Sequence, residues 1–257
     1  MSFSELFNSF YTIFYKEVAR YLRLWKQTFV PPIITMSLYY VIFGNLIGPR
    51  IGEMDGYDYM SFIVPGLVML SVITGSYGNV VSSFYGNKFQ RSLEEILVSP
   101  TPSFIIFLGF CVSSAIRGIL VGIIVILVSL FFTELKIHSL GAVVLVACLT
   151  SFMFSAMGMI NAIYANSFDD ITIIPNFVLT PLTYLGGIFY SIKLLPEFWQ
   201  DVSLLNPMLY IVNAFRYGML GKSDIPLLHA YSIIIIFTIV LSAACIYMLD
   251  RGIGTRS

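Results

Sequence analysis

The sequence contains few charged residues. Of its 257 residues, only 11% are Asp, Glu, Lys or Arg, whereas a typical soluble domain contains about 25%. So few polar side chains cannot cover a soluble globule, and so many apolar residues exclude intrinsic disorder. Fourteen basic residues are balanced by fourteen acidic ones, which leaves no basic surface for a nucleic-acid partner. With 58% apolar residues and a mean hydropathy of +0.87, the sequence predicts an integral membrane protein.

Residues that bind metals, form disulfides or hold nucleotides are also scarce. The chain has three cysteines, each within an apolar stretch, and two histidines, His138 and His229. An odd number of isolated cysteines predicts buried thiols, not a zinc site or a disulfide framework. The sequence Gly-Lys-Ser at 221–223 ends like a P-loop, but Arg216 stands where the motif needs Gly and Pro226 follows. We therefore expect no catalytic, metal or cofactor site in this chain.

Long apolar stretches predict six membrane-spanning helices, because about 20 apolar residues in a helix cross the hydrocarbon core. The residues after the last span, 251–257, are expected to form a short cytoplasmic tail. The predicted spans cover about residues 27–49, 59–85, 103–132, 139–166, 171–190 and 229–249.

The distribution of Lys and Arg predicts the orientation. Eight of them lie before the first span, between the second and third spans, and after the last: Lys16, Arg20, Arg23, Lys26, Lys88, Arg91, Arg251 and Arg256. The two short loops on the opposite side contain one each, Arg50 and Lys136. The positive-inside rule then predicts that both termini are cytoplasmic.

Residues 1–26 precede the first span and have a different pattern. Aromatic and aliphatic residues recur at steps of four and three from Phe3 to Trp25, and polar or basic residues repeat these steps on the other face. This pattern predicts an amphipathic helix in the membrane interface. Two roles stay open for it, a membrane anchor and a lever that packs against a cytoplasmic partner.

Two connections are unusual for loops. The cytoplasmic loop 86–102 has charges around an apolar stripe of Leu93, Ile96 and Leu97, and prolines end it. It predicts a short helix presented to the cytoplasm. The external segment 191–226 is too apolar for a solvated loop and contains several prolines. It predicts helices that re-enter the outer leaflet, where the backbone must be covered by protein.

Charges within or beside the spans are few. Arg117 lies near the middle of the third span, where a charge must face protein or water. Internal hydrogen bonding is the favoured interpretation, and a position on a transport path is the other. Asp169 and Asp170 lie in a short cytoplasmic turn and suit the start of the helix that follows. The predicted spans contain no chain of buried carboxylates of the kind that proton-coupled carriers use.

Short motifs in order along the chain carry a family resemblance. They are VPPIITM at 30–36, FGNLIG at 43–48, FIVPG at 62–66, KFQR at 88–91, EEILV at 94–98, FDD at 168–170, LTPLTYLGG at 179–187, NP at 206–207, FRYG at 215–218 and RG at 251–252. With this order and spacing the chain resembles, essentially from end to end, the ABC-2 family of bacterial transporter permeases, most closely its YadH-like and NodJ-like branch.

The resemblance implies an all-α fold of six transmembrane helices with an N-terminal interface helix, a coupling helix and re-entrant external helices. It also implies a homodimer in the bacterial inner membrane, bound to two copies of a separate ABC ATPase that holds ATP and Mg. The cargo would be an amphiphilic, lipid-linked or glycan-type molecule or a drug. The chain itself would be a non-catalytic permease subunit with no nucleic-acid partner.

Two sets of residues are predicted to serve export. The set expected to couple to the ATPase is Lys88, Phe89, Arg91, Leu93, Glu94, Glu95, Ile96 and Leu97, with Asp169 and Asp170 in the neighbouring cytoplasmic turn. A translocation path between two copies of the chain is expected to involve Asn45, Tyr77, Asn79, Tyr85 and Arg117.

Two functions other than export would leave different signals in the sequence. A secondary carrier or channel would need inverted repeats or intramembrane acids, and neither is evident. A membrane-embedded lipid-modifying enzyme would need a cluster of His, Asp or Glu at the interface, and only the acid pair at 169–170 qualifies. The identity of the substrate stays open.

Overall fold

The structure, a computed structural model, describes residues 2–135 and 137–254. Lys136 and Arg256, which support the predicted orientation, and the last residues of the predicted tail 251–257 lie outside this part. The helices are, in chain order, α1 (Phe3–Arg23), α2 (Trp25–Tyr39), α3 (Gly48–Ile51), α4 (Tyr59–Phe89), α5 (Ser92–Val98), α6 (Ser103–Ser129), α7 (Leu140–Tyr164), α8 (Asp170–Ile174), α9 (Thr180–Tyr184), α10 (Glu197–Leu204), α11 (Pro207–Leu220) and α12 (Leu227–Arg251).

Shorter elements connect these helices. A π-helical segment, Tyr40–Ile47, joins α2 to α3, and a second one, Pro175–Leu179, joins α8 to α9. A single 3-10 turn, Ile192–Leu194, precedes α10. Between α3 and α4, β1 (Glu53–Met54) pairs antiparallel with β2 (Tyr57–Asp58). The Asp-Gly pair at 55–56 has positive φ at both residues, as a tight hairpin turn requires.

Local sequence signals explain where several helices begin. Ser2 and Glu5 form a capping box at α1, with the Ser2 Oγ accepting from the Glu5 N–H and the Glu5 carboxylate accepting from the Ser2 N–H. Asp58 accepts from the backbone N–H of Met60 at the start of α4. Asn206 caps α11 in the same way. Each cap satisfies an N–H group that the helix itself leaves unpaired.

Five helical stretches in the described part are long and apolar enough to cross a membrane, which confirms the all-α integral membrane class. Each coincides with a predicted span. They are Trp25–Ile51, Tyr59–Phe89, Ser103–Ser129, Leu140–Tyr164 and Leu227–Arg251.

The stretch predicted as the fifth of the six spans, 171–190, is shorter than expected. Its helical run, from α8 through the π-helical segment to α9, ends at Tyr184. At 1.5 Å per residue, 15 residues rise only about 22 Å, against a hydrocarbon core of about 30 Å. The run stops there because Gly186 and Gly187 follow, the latter with φ of +70°. The six-span count therefore stays a prediction.

Helix α4 is the centre of the molecule. Most of its side chains are buried, and it packs against α6, α7 and α11. Glycines allow the close approach of the neighbouring helices. A Cβ at Gly118 of α6 would lie 2.8 Å from the Ser76 Cβ, and one at Gly158 of α7 would lie 2.8 Å from the Tyr77 carbonyl oxygen. Small residues at such crossings are typical of helix packing in membranes.

The bundle has two distinct ends. The first is called the α5 end. Helices α4 and α7 end here, α6 begins here, and α5 lies between α4 and α6 in the chain. The described chain also ends here, since a Cβ at Gly254 would touch the carbonyl oxygen of Ile163 in the last turn of α7. At the other, called the far end, the β hairpin precedes α4, and the N–H of Ser139 bonds to the Gly218 carbonyl at 2.8 Å. Helix α11 is largely buried near this end, against α4, α7 and α12.

Candidate functional site

The predicted coupling segment folds as a short helix tied to the end of α4. Helix α5 starts after Arg91, whose φ of 60° lies in the left-handed region and turns the chain sharply. The Ser92 hydroxyl donates to the Asn87 Oδ1 at 3.0 Å, and the Asn87 Nδ2 donates to the Ser83 carbonyl at 2.8 Å. These bonds fix the first turn of α5 to the last turns of α4.

The apolar stripe of α5 faces the chain's own core. Leu93 is only 2% exposed, and Ile96 and Leu97 are half-buried against the core. The sequence places all three in the set expected to couple to the ATPase, but α5 packs on α4 and thereby buries Leu93. The opposite side of α5 is the side that is most accessible to a partner. The residues exposed on that side are Arg91, Glu94, Glu95 and Val98.

Lys88 and Phe89, at the end of α4, have separate roles. The Lys88 ammonium donates to the carbonyls of Ile163 and Ala165 at 2.8 and 2.7 Å. These carbonyls end α7, where the helix cannot satisfy them itself, so Lys88 serves this chain and not a partner. The Phe89 ring is exposed, and its centroid lies 5.0 Å from that of Phe168.

The acid pair lies in the turn after α7. The Asp170 carboxylate accepts from the N–H groups of Asn166 and Ser167 at 2.8 and 3.0 Å, and the Ser167 hydroxyl accepts from the Asp170 N–H. These hydrogen bonds, led by that of Asn166, hold the pKa of Asp170 below its usual range. Asp170 thus holds the turn, whereas Asp169 is exposed and caps nothing through its side chain.

These residues leave an exposed, mostly acidic surface at the α5 end. It contains one basic and three acidic side chains beside two phenylalanines. We call it the coupling surface, and it consists of Phe89, Arg91, Glu94, Glu95, Val98, Phe168 and Asp169.

A buried ionic network attaches α1 to α4. The Glu17 carboxylate is 0% exposed and accepts from the Ser83 hydroxyl at 2.5 Å. Arg20 forms a salt bridge with Glu17 at 3.1 Å and donates to the Asn79 Oδ1 at 2.8 Å. This pair resists separation, because the Glu17 carboxylate would be left buried without a charged partner.

The same network reaches α6. The Arg117 Nη1 donates to the Asn79 Oδ1 at 3.1 Å, and the Asn79 Nδ2 donates to the Ser114 hydroxyl at 2.7 Å. Two guanidinium groups, from α1 and α6, therefore share one amide oxygen of α4. This supports internal hydrogen bonding for Arg117, the first of the two interpretations of its charge.

Helix α1 is also connected to the base of α5. The Lys16 ammonium donates to the Asn87 Oδ1 at 2.7 Å, the same oxygen that the Ser92 hydroxyl uses. One side chain of α4 thus holds both α1 and the coupling helix, and the three elements are joined at this point.

A cavity of about 360 Å³ lies between α2, α4 and the α8–α9 run. Its lining is mostly apolar and aromatic, with a few hydroxyl and amide groups, which is typical of sites for amphiphilic molecules. Tyr77 lines it, and the Tyr77 hydroxyl accepts from the Asn161 Nδ2 at 2.8 Å. The other polar and aromatic residues of the lining are Tyr39, Thr74, Asn176, Thr180, Thr183, Tyr184 and Phe189.

The five predicted path residues do not lie together. Tyr77 lines the cavity, whereas Asn79 and Arg117 belong to the ionic network. Tyr85 is buried near the α5 end, with its ring 5.0 Å from that of Phe168. Asn45 is exposed on the π-helical segment after α2. The path assignment stays a prediction for all five.

Sequence reasoning missed Glu17, Arg20 and the polar residues of the α8–α9 run. Glu17 stands three residues before Arg20 on α1, a spacing at which opposite charges meet on a helix. Asn176, Thr180 and Thr183 are polar residues within an otherwise apolar predicted span. Both signals are present in the sequence and were available for the prediction.

Comparison with known proteins gives consistent results. Residues 8–220 match the family described as ABC-2 type transporter. The chain is 52% identical over 246 residues to "Inner membrane transport permease YadH" of Escherichia coli (strain K12), covering 96% of each chain. It is 29% identical over 212 residues to "Nodulation protein J" of Rhizobium meliloti (strain 1021), covering 80% of this chain and 79% of that protein. The matched region includes the coupling surface, the ionic network and the cavity.

Proposed function

The chain belongs to the ABC-2 family of transport permeases, and we propose that it is the transmembrane subunit of an ABC exporter in a bacterial inner membrane. The main support is the near full-length identity with a relative named as an inner membrane transport permease. In this proposal a separate ABC ATPase, in two copies, holds ATP and Mg and drives a homodimer of this chain. Both termini face the cytoplasm, as the distribution of Lys and Arg predicts.

The coupling surface is the proposed docking site for the ATPase. Its exposed side chains are predominantly acidic, which suits a basic surface on the partner and fixes the register of docking. The opposite side of α5 packs on α4, so a displacement of α5 would be transmitted to α4. Through Asn87 and Lys16 it would also reach α1. We propose that α1 acts as a lever in this way and not only as an anchor.

The proposed cargo is amphiphilic, either lipid-linked, glycan-type or a drug. The cavity between α2, α4 and the α8–α9 run supports this, because it combines apolar walls with scattered hydroxyl and amide groups. Helix α2 buries few side chains in its own chain, mainly Thr28 and Met36. Helix α2 is therefore available to line a path between two copies of the chain. Of the five predicted path residues, Tyr77 is the one that lines the cavity.

The test replaces Glu94 and Glu95 by Lys in the full-length permease, co-expressed with a candidate ABC ATPase from the same organism. The permease alone should hydrolyse no ATP, and the wild-type complex should hydrolyse it. The double charge reversal should release the ATPase or uncouple hydrolysis from transport, because like charges would then face each other across the interface.

The matched control is the double variant Glu53→Lys and Glu134→Lys. Both of these acids are exposed and lie away from the α5 end, so the net charge changes equally without touching the coupling surface. Complex formation is measured by co-purification, and folding by size-exclusion chromatography. Normal transport and an intact complex in the Glu94→Lys, Glu95→Lys variant would reject the docking site, and ATP hydrolysis by the permease alone would reject the subunit assignment.

A further inference from the structure

A second cavity, at the far end, contains a buried guanidinium whose donors are only partly used. Arg216 of α11 is 3% exposed. Its Nη2 donates to the Gly187 carbonyl at 2.6 Å, and its Cζ lies 3.9 Å from the centroid of the Phe62 ring. Within the described residues, its Nε and Nη1 have no hydrogen-bond partner. A buried charged donor without an acceptor is energetically unfavourable. An acceptor bound at the Arg216 guanidinium would therefore be stabilising.

The cavity beside Arg216 has a volume of about 200 Å³ and is rich in charge. Besides Arg216 it is lined by two other cations, Lys193 and Lys222, and by two acids, Asp55 and Asp224. The lining therefore carries three positive and two negative charges, a net charge of +1.

One of the two acids is already paired. The Lys193 ammonium lies 3.0 Å from the Asp224 Oδ1, and the Ser191 hydroxyl donates to the other carboxylate oxygen at 3.1 Å. Both carboxylate oxygens of Asp224 therefore have partners other than Arg216. Neither acid makes a hydrogen bond to Arg216, which keeps its Nε and Nη1 free for another acceptor.

Lys222 adds a second positive charge, and no carboxylate of residues 2–135 or 137–254 forms a salt bridge with it. Its ammonium donates to the backbone carbonyl of Asp55, a neutral group, and lies 5.2 Å from the centroid of the Tyr57 ring. Lys222 is also exposed, so it stands at the mouth of the cavity, with Arg216 buried within. Together they offer two cationic donors to one ligand.

We propose that this cavity binds a phosphate-type oxyanion, either as free phosphate or as the headgroup of a lipid. A tetrahedral oxyanion presents several strong acceptors on one centre, so it can accept from Arg216 and Lys222 together. Its negative charge balances the excess positive charge of the lining. This site lies at the opposite end of the bundle from the coupling surface, and it needs neither the ATPase nor the cargo.

The first experiment uses the full-length permease in detergent with radiolabelled inorganic phosphate, and equilibrium dialysis measures the bound phosphate per chain. We expect saturable binding to the wild type, loss of binding in Arg216→Gln, and binding weakened about tenfold in Lys222→Gln, which loses one charge-assisted hydrogen bond. Lys26→Gln is the control, since Lys26 is an exposed cation outside the cavity. It should bind as the wild type does.

The second experiment tests the lipid source in nanodiscs. Nanodiscs that contain phosphatidic acid are compared with nanodiscs of phosphatidylcholine alone, and native mass spectrometry measures the lipid retained by each variant. Retention of phosphatidic acid that depends on Lys222 identifies a lipid headgroup, and phosphate binding without such retention identifies the free ion. If Arg216→Gln does not fold, the exposed position of Lys222 keeps the test valid. Absence of saturable binding of both probes, or equal binding by the wild type and Lys222→Gln, would overturn the proposal.

Discussion

Replacing Glu17 by Gln removes the carboxylate that α1 presents to α4. Taking one partner from a buried ion pair typically costs about 3–5 kcal/mol, because the other charge is left uncompensated. Here the Arg20 side chain is 31% exposed and keeps its bond to the Asn79 Oδ1 at 2.8 Å. Solvent therefore screens part of the lost interaction, and we expect a smaller loss, about 1–2 kcal/mol of the free energy of unfolding.

The native cysteines of the protein can report its unfolding. Cys111 and Cys245 are buried thiols that react with a maleimide dye only when the bundle opens, whereas Cys148 is exposed and is replaced by Ser. Thermal unfolding in detergent, followed by dye labelling, should show the midpoint of Glu17→Gln about 2–8 °C below that of the parent.

The matched control is Glu94→Gln, which removes an exposed acid of the coupling surface. Its midpoint should equal that of the parent, because the Glu94 side chain is solvated. Equal midpoints for the two variants would refute the reasoning that the Glu17 carboxylate holds α1 in place.

Two further predictions concern α1 packing and the turn before α8. A Cβ at Gly109 would lie 2.6 Å from a side-chain carbon of α1, so Gly109→Ala should destabilise the fold by about 1–3 kcal/mol in the same thermal assay. Gly141→Ala, where a Cβ meets nothing within 4 Å, should be neutral or slightly stabilising, and equal effects would contradict the packing. Because the folded pKa of Asp170 is lowered, its contribution is present above the ordinary value of 3.8 and is lost as the pH falls through the folded pKa. The protection factor of the Asn166 amide, which is its intrinsic exchange rate divided by its measured rate at the same pH, should therefore fall on acidification in the wild type. In Asp170→Asn it should not change with this titration.

The long spans and α5 could be predicted because their signals are local. Apolar stretches of sufficient length and the charged loop 86–102 are visible in the sequence alone, and the structure forms helices there. The fifth span stays a prediction, because the helical run there ends at Tyr184, before a glycine pair. The sequence shows Gly186 and Gly187, but hydropathy does not weigh them as helix-ending residues.

The direction in which an amphipathic helix faces could not be predicted. On α1 the buried positions are Ile13, Glu17 and Tyr21. Tyr21 belongs to the apolar face assigned from periodicity, whereas Ile13 and Glu17 lie between the apolar and polar faces. Leu93 on α5 is a similar case. The sequence shows the apolar stripe to which Leu93 belongs, but it does not show that α4 covers this stripe. Periodicity gives the faces of a helix, whereas tertiary packing decides which of them is covered.

The way α5 is attached has a consequence for partner choice between related exporters. Its inward side and its start are bound to α4 and α1 through Leu93, Ser92 and Asn87. The outward side chains of Glu94 and Glu95 form no hydrogen bond or salt bridge within the part of the chain that the structure describes. In the proposed docking mode, recognition of a different ATPase would therefore be changed by exchanging the outward residues while the inward ones stay unchanged. A chimera that exchanges only the segment between residues 93 and 98 should keep the bundle intact. A junction before residue 87 would instead take Asn87 from the relative and separate it from its hydrogen-bond partner Lys16.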